Sequence, residues 1–170
     1  MNAALVIARL ILGLGLASHG AQKLFGWFGG HGLKGTSAFF EDLGFRPGGL
    51  FALAAGLGEF VGGVLTALGF LSPIGPAMMI LVMLVAIFTV HWKNGFFASA
   101  NGYELSSMYV AGALALALTG PGRYSLDQLL SITALRSTHT AWILIAVAVV
   151  LAIINLIARR PAPPRPAAVH

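Results

Sequence analysis

Residues 49–71 read GLFALAAGLGEFVGGVLTALGFL, an apolar run in which Glu59 is the one charged side chain. Roughly 20 helical residues cross the hydrocarbon core of a bilayer, so the run has the length of a membrane span. At helical spacing Glu59 shares a face with Ala52, Ala55, Gly56, Gly62, Gly63 and Thr66, small residues that let two helices approach closely, and Gly58 to Gly62 forms a GxxxG step. The carboxyl group therefore faces protein rather than lipid. Placing an acidic side chain near the membrane centre costs on the order of 3 kcal/mol, while one interhelical hydrogen bond returns about 1 kcal/mol. Glu59 is thus expected to be protonated, paired with a cation, or turned toward a hydrated cavity.

Four further apolar runs flank this one. Residues 3–24 are broken only by Arg9, residues 73–90 carry no charge and end at His91, residues 105–120 form a short run opening at Tyr103-Glu104, and residues 140–158 hold Asn155 as their one strongly polar side chain. The first run has no basic leader and reads as a retained helix rather than a cleaved signal. On it, Arg9, His19 and Lys23 fall within about 80° of one another at 100° per residue, which makes them the candidate partners of Glu59. A structural ion pair and a proton or ligand site are both compatible with that placement.

Composition supports the bilayer. With 58% hydrophobic and 9% charged residues, and a mean hydropathy of +0.88, the chain has too little polar surface to cover a soluble globule. The lack of cysteine removes disulfides, CxxC redox chemistry, c-type haem attachment and thiolate metal sites. The net charge of +5 comes from residues at span ends and in the tail, so it reads as topology and headgroup contact rather than nucleic-acid binding. With the amino terminus outside, Lys23, Lys34, Arg46, Lys93, Arg159, Arg160 and Arg165 fall inside against Arg9, Arg123 and Arg136 outside, the arrangement the positive-inside rule favours.

The connections carry their own signals. Residues 25–47 are too long for a tight turn, and Phe39, Phe40 and Leu43 share a helical face after Thr36 or Ser37 as N-cap, so a short amphipathic helix in the headgroup region is expected. Ser72-Pro73 marks a hairpin and Asn101-Gly102 a turn. Thr119-Gly120-Pro121-Gly122 ends the fourth run, and Ser125-Leu126-Asp127-Gln128 has the spacing of a capping box. The tail from Arg159 to His170 is basic, proline-rich and expected to be disordered.

Chemistry concentrates in SHGAQKLFGWFGG, residues 18–30, and at residues 91–97, HWKNGFF. A quinone-like ligand needs a flat apolar slot, aromatic walls and a donor for each carbonyl; His19, Lys23 and His91 beside Trp27, Phe96 and Phe97 supply these. No HxxxH or ExxH pair points to a metal, no nicotinamide or flavin fingerprint is present, and Met78, Met79 and Met83 read as core filling.

The motifs HGAQKLFG (residues 19–26), Gly35-Thr36 with Phe39-Phe40-Glu41 and Leu43-Gly44-Phe45, Glu59-Phe60 with Gly62-Gly63, Val90-His91 with Asn94-Gly95-Phe96-Phe97, and TGPGRYSLD (residues 119–127) occur together and in order. In them the sequence resembles the DoxX family of small bacterial membrane proteins over about residues 1–132. The resemblance implies a four-helix membrane core in the bacterial cytoplasmic (inner) membrane, with an amino terminus inside rather than outside. It also implies kinship with the membrane subunit of thiosulfate:quinone oxidoreductase and with membrane complexes that handle thiol or oxidative stress. The expectation is an all-α polytopic protein, residues 1–132 forming the core, 133–158 an added transmembrane helix and 159–170 the tail. Glu59 and His19 are its expected catalytic pair, Arg9 the ion-pair partner of Glu59, and Lys23, His91, Trp27, Phe96 and Phe97 the quinone contacts. Electrons would come from a soluble redox partner, and the small-residue face leaves room for a homo-oligomer. Alternatives are a non-catalytic scaffold for a soluble oxidoreductase and a small-solute transporter.

Overall fold

The computed structural model describes residues 2–160. Its long helices follow the apolar runs: α1 Asn2–Phe25, α3 Gly48–Leu68, α4 Ile74–Ala86, α5 Glu104–Thr119 and α7 Thr138–Ile157, with two short ones, α2 Gly32–Asp42 and α6 Leu126–Leu129. No strand occurs among the described residues, and the protein is a polytopic helical membrane protein. Among the described residues, four helical stretches are long and apolar enough to cross a membrane: α1, α3, α4 with its extension to Asn94, and α7. The fifth, α5, has 16 residues and spans about 24 Å at 1.5 Å per residue.

The chain passes up and down, so α1 begins at one end of the bundle and α7 finishes at the other. The ends are here called the Arg9 end and the Lys23 end. Helices α1 and α3 run antiparallel in backbone contact: a Cβ on Gly63 would lie 2.5 Å from Ala17 N and Gly13 O, and one on Gly13 2.5 Å from Ala67 N. Gly20 likewise sits on the Phe60 backbone. The small-residue face read from the sequence is thus the seam of the bundle, where van der Waals contact replaces the missing hydrophobic drive. On the far side of α3, Gly62 meets Met78 and Gly58 meets Val82 of α4. Helix α7 packs on α4 and α5, burying Ala141, Ile145, Ala148 and Ala152, and Ile145 and Ala148 join Leu16, Met79, Met83 and Ala113 in the core.

Three boundaries differ from expectation. Helix α2 starts at Gly32 with His31 before it, and Thr36 and Ser37 lie inside it, their hydroxyls donating to the carbonyls of Gly32 at 2.8 Å and Leu33 at 2.6 Å. A serine or threonine has two ways to satisfy its hydroxyl near a helix, and here bonding back to the preceding turn wins over capping. Its buried side chains are Thr36 and Phe40, with Phe39 exposed; Phe40 packs with Phe45 and Ala52 of α3. Helix α4 does not stop at Val90 but continues as a π turn, Ile87–His91, and a 3-10 turn, Trp92–Asn94. Helix α3 ends at Leu68 because Gly69 takes a left-handed conformation, φ 61°, for which glycine carries no side-chain penalty.

At the Arg9 end, Ser125 caps α6 as expected, accepting a hydrogen bond from Gln128 N at 3.2 Å. Asp127, 1% exposed, takes the N–H groups of Leu71 and Ser72 at 2.7 and 2.9 Å and so holds the α3–α4 turn. At the Lys23 end, the tail begins in an ordered way. Arg159 Nε donates to Leu43 O at 2.9 Å, its guanidinium lies 5.7 Å from the centre of the Phe45 ring, and Arg160 N donates to Gly44 O at 2.8 Å. The rest of the expected tail, residues 161–170, lies outside the described residues.

Candidate functional site

Glu59 is paired. Lys23 Nζ donates to its Oε2 at 2.6 Å, across the α1–α3 seam, where Gly56 leaves room for the Lys23 and Leu24 side chains. The glutamate is 4% exposed, whereas 28% of the lysine side chain is exposed, so the cation reaches the carboxylate from the wetter side. A lysine has three N–H donors and the pair uses one, which leaves Lys23 able to serve a second acceptor. His19 and Tyr109 are close enough to Glu59 to interact with it electrostatically.

The pair opens on a cavity of about 520 Å³ walled by α2, α3, α4 and α7. Its lining is almost wholly apolar, with Phe39, Phe40, Phe45 and Phe51 on one side, Leu81, Val82 and Val85 on another, and Leu151 from α7. The polar exceptions are Lys23, Glu59, Thr89, His91 and Asn155. Along α3, Glu59 lies about 16 Å from Gly48 at 1.5 Å per residue. The ion pair is therefore at the inner end of the chamber, and His91, which closes the π turn of α4, is near its outer end. A second chamber of about 370 Å³, lined by Gln22, His31, Gly35 and Thr36, shares Lys23 and Phe39 with the first. Lys23 thus stands between an apolar chamber and a more polar one.

Of the residues expected at this site, the structure brings Lys23, Glu59 and His91 together around one cavity. His91 uses Nδ1 on Asn101 O at 2.9 Å, which fixes the ring and leaves Nε2 for another partner. His19 is exposed, with Nδ1 3.1 Å from Gln22 Oε1, and it does not line the cavity. Arg9 does not reach Glu59. It lies 14 residues before Lys23 on α1, about 21 Å along the axis, and its guanidinium donates to Pro121 O at 2.6 Å and to Tyr124 O, beside Asp127. Equal angular position does not bring it close, because the two cations differ by four helical turns in height.

The expected aromatic walls also lie elsewhere. Trp27, 56% exposed, packs edge-on with Phe28 and against Phe25, while Phe96 packs with Phe97 and Tyr103 in the loop after α4. Such exposed rings at span ends suit a headgroup belt. The cavity takes its aromatic wall from Phe39, Phe40, Phe45 and Phe51 instead. Phe39 and Phe40 belong to the amphipathic face recognised in the sequence, with Phe45 just beyond α2, but only the packing of α2 onto α3 shows that they face the same space as Glu59. Thr89 has no motif in the sequence, and the π turn that holds it, a feature often found at functional positions, is visible only in the structure; Asn155 stands out in the sequence as the one strongly polar side chain of its apolar run.

The profile of the DoxX family matches residues 4–92, which covers α1 to α4 and the π turn. "Putative oxidoreductase CatD" of Bacillus subtilis (strain 168) is 30% identical over 122 residues, 72% of this chain and 83% of that protein. "Uncharacterized membrane protein Rv3486" of Mycobacterium tuberculosis (strain ATCC 25618 / H37Rv) is 29% identical over 136 residues, 74% of this chain and 80% of that protein. No solved structure matches. With the family profile covering more than half of the chain, including the whole Lys23–Glu59 seam, the protein belongs to the DoxX family.

Proposed function

We propose that the protein is a membrane subunit of a quinone-linked redox system in a bacterial cytoplasmic membrane, and that the cavity beside Lys23 and Glu59 seats the head of a lipid-soluble quinone. The observation that carries this reading is an ion pair with a buried carboxylate at the end of an apolar, aromatic-walled chamber. A purely structural pair has no need of such a chamber, and ionisable groups inside membranes usually serve a ligand or a proton. The fit is good: about 520 Å³ falls within the roughly 300–1,000 Å³ typical of small-molecule sites, and the few polar groups are enough to orient a head while the walls hold apolar substituents.

A quinone, when bound, supplies a two-electron, two-proton couple. The chain's own residues bind and orient it: Lys23 donates a hydrogen bond to a carbonyl oxygen, Glu59 keeps the ammonium in place and holds or releases a proton, and the phenylalanines exclude water. Lys23 borders the more polar chamber, so protons have a short way in. The name of the Bacillus subtilis relative agrees with redox work, and the electrons are assigned to a soluble partner protein, as thiol or thiosulfate oxidation would need.

The test is to purify the protein, extract its bound lipids and record their spectrum. The reading predicts quinone in near-stoichiometric amount from the parent protein and a clear loss from Glu59→Gln and Lys23→Met. A colourless, quinone-free preparation that also fails to bind an added short-chain benzoquinone would move the assignment to a scaffold.

A further inference from the structure

We propose that the cavity opens sideways into the bilayer between α3 and α7, and that it selects a ligand whose long apolar chain leaves through this mouth, because Arg159 straps the headgroup end shut. The inference rests on the reading of the cavity as a quinone site and adds the route into it and the shape of ligand it takes.

Exposure is uneven among the residues that line the cavity. Phe39, Ala54, Leu57 and Leu151 are exposed, and all four are apolar. Ala54 and Leu57 lie about 9 and 14 Å along α3 from Gly48 at 1.5 Å per residue, well inside a helix of 21 residues. Leu151 faces them from α7, about 9 Å before that helix ends at Ile157. An opening at this depth on membrane-crossing helices meets acyl chains rather than water. It is also next to the chemistry: Leu57 is about 3 Å along the axis from Glu59, so a chain attached to a head held by Lys23 leaves the cavity directly.

The headgroup end is covered instead. Gly44 and Phe45 are buried there, and the end of α7 is tied across them by the Arg159 Nε bond to Leu43 O, the Arg160 N bond to Gly44 O and the Arg159 guanidinium over the Phe45 ring. Leu43 and Phe45 line the cavity, so the strap lies on its wall. A cation over a ring gains strength where water is kept away. Tied at this end and packed on α4 along its length, α7 cannot swing off, and the gap that remains is the one between Ala54, Leu57 and Leu151. The helix that shapes this mouth lies outside the residues matched by the family profile. Arg159 is thus a positioning residue, acting on the ligand through the place it gives α7.

The test compares decylbenzoquinone with the tailless methylbenzoquinone on the detergent-solubilised protein and its variants, with folding followed by thermal melting. Ala54→Trp and Leu57→Trp fill the mouth from positions that already face outward; Leu53→Trp, next to Ala54 and 39% exposed but not lining the cavity, is the control. The expected result is a loss of about tenfold or more for the decyl compound in the two mouth variants, the scale of one overpacked contact, with the tailless compound unchanged and the control like the parent. Arg159→Ala, which unties the strap, should speed dissociation of the tailless compound about three- to tenfold, the scale of one hydrogen bond. Equal loss of both compounds in the mouth variants, no loss of either, or the same loss in Leu53→Trp would overturn the side mouth while leaving the quinone site standing. An unchanged dissociation rate in Arg159→Ala would overturn the strap. If the parent binds neither compound, the site and this inference fail together.

Discussion

Removing one member of the Lys23–Glu59 pair should not cost the same as removing the other. Lys23→Met strands a carboxylate that is 4% exposed. Breaking a buried pair from one side typically costs 3–5 kcal/mol, and the carboxylate can relieve part of that by taking up a proton, which leaves an expected loss of about 2–3 kcal/mol. Glu59→Gln is milder. The amide oxygen still accepts from Nζ, and a lysine with 28% of its side chain exposed can turn toward headgroups along its apolar stem, so the loss should be about 1 kcal/mol. The double variant leaves no stranded charge and should be more stable than the sum of the single losses by more than about 1 kcal/mol. Denaturant titration in mixed micelles measures all four corners of the cycle. Additivity within about 0.5 kcal/mol would refute the pairing, and a Glu59→Gln loss larger than that of Lys23→Met would refute the assignment of which charge is trapped.

At the α1–α3 seam, Gly63→Val should cost at least 1–3 kcal/mol, the usual range for overpacking, because its Cβ meets backbone at 2.5 Å; the same micelle titration reads it. Asp127→Ala should lose about 2–4 kcal/mol, since two charge-assisted bonds to the Leu71 and Ser72 N–H groups go with it, yet quinone affinity should be unchanged at the distant cavity. Phe51→Ala should weaken quinone binding through lost packing while Trp27→Ala should not, as only the first ring borders the cavity; analogue titration separates them. The chain has no cysteine, so a single Lys34→Cys reports sidedness cleanly, and an impermeant thiol reagent should label it from the cytoplasmic face if the positive-inside rule holds.

The helices were legible because lipid imposes a length and an apolar composition that few soluble segments share. The burial of Glu59 was legible too, since a carboxyl among Gly56, Gly62 and Gly63 has only protein to face. Its partner was harder. Angular position on α1 could not separate Arg9 from Lys23, because choosing between them depends on the relative height of α1 and α3, which close contacts such as Gly20 on Phe60 set in three dimensions. The same holds for the aromatic wall. Trp27, Phe96 and Phe97 are near His19 and His91 in sequence, but α2 folds back along the first half of α3 and carries Phe39 and Phe40 to the cavity instead. Asp127 read as part of a cap, and its larger task, holding the α3–α4 turn 56 residues away, has no local trace.

Photoaffinity labelling with an azido-benzoquinone tests the central claim most directly, because it reports position as well as binding. Saturable labelling of peptides containing residues 51–59, 81–91 and 151–155, blocked by excess benzoquinone and lost in Glu59→Gln, is the result predicted here. Labelling confined to the exposed rings at Trp27, Phe96 and Phe97, or labelling that neither saturates nor responds to Glu59→Gln, would contradict it.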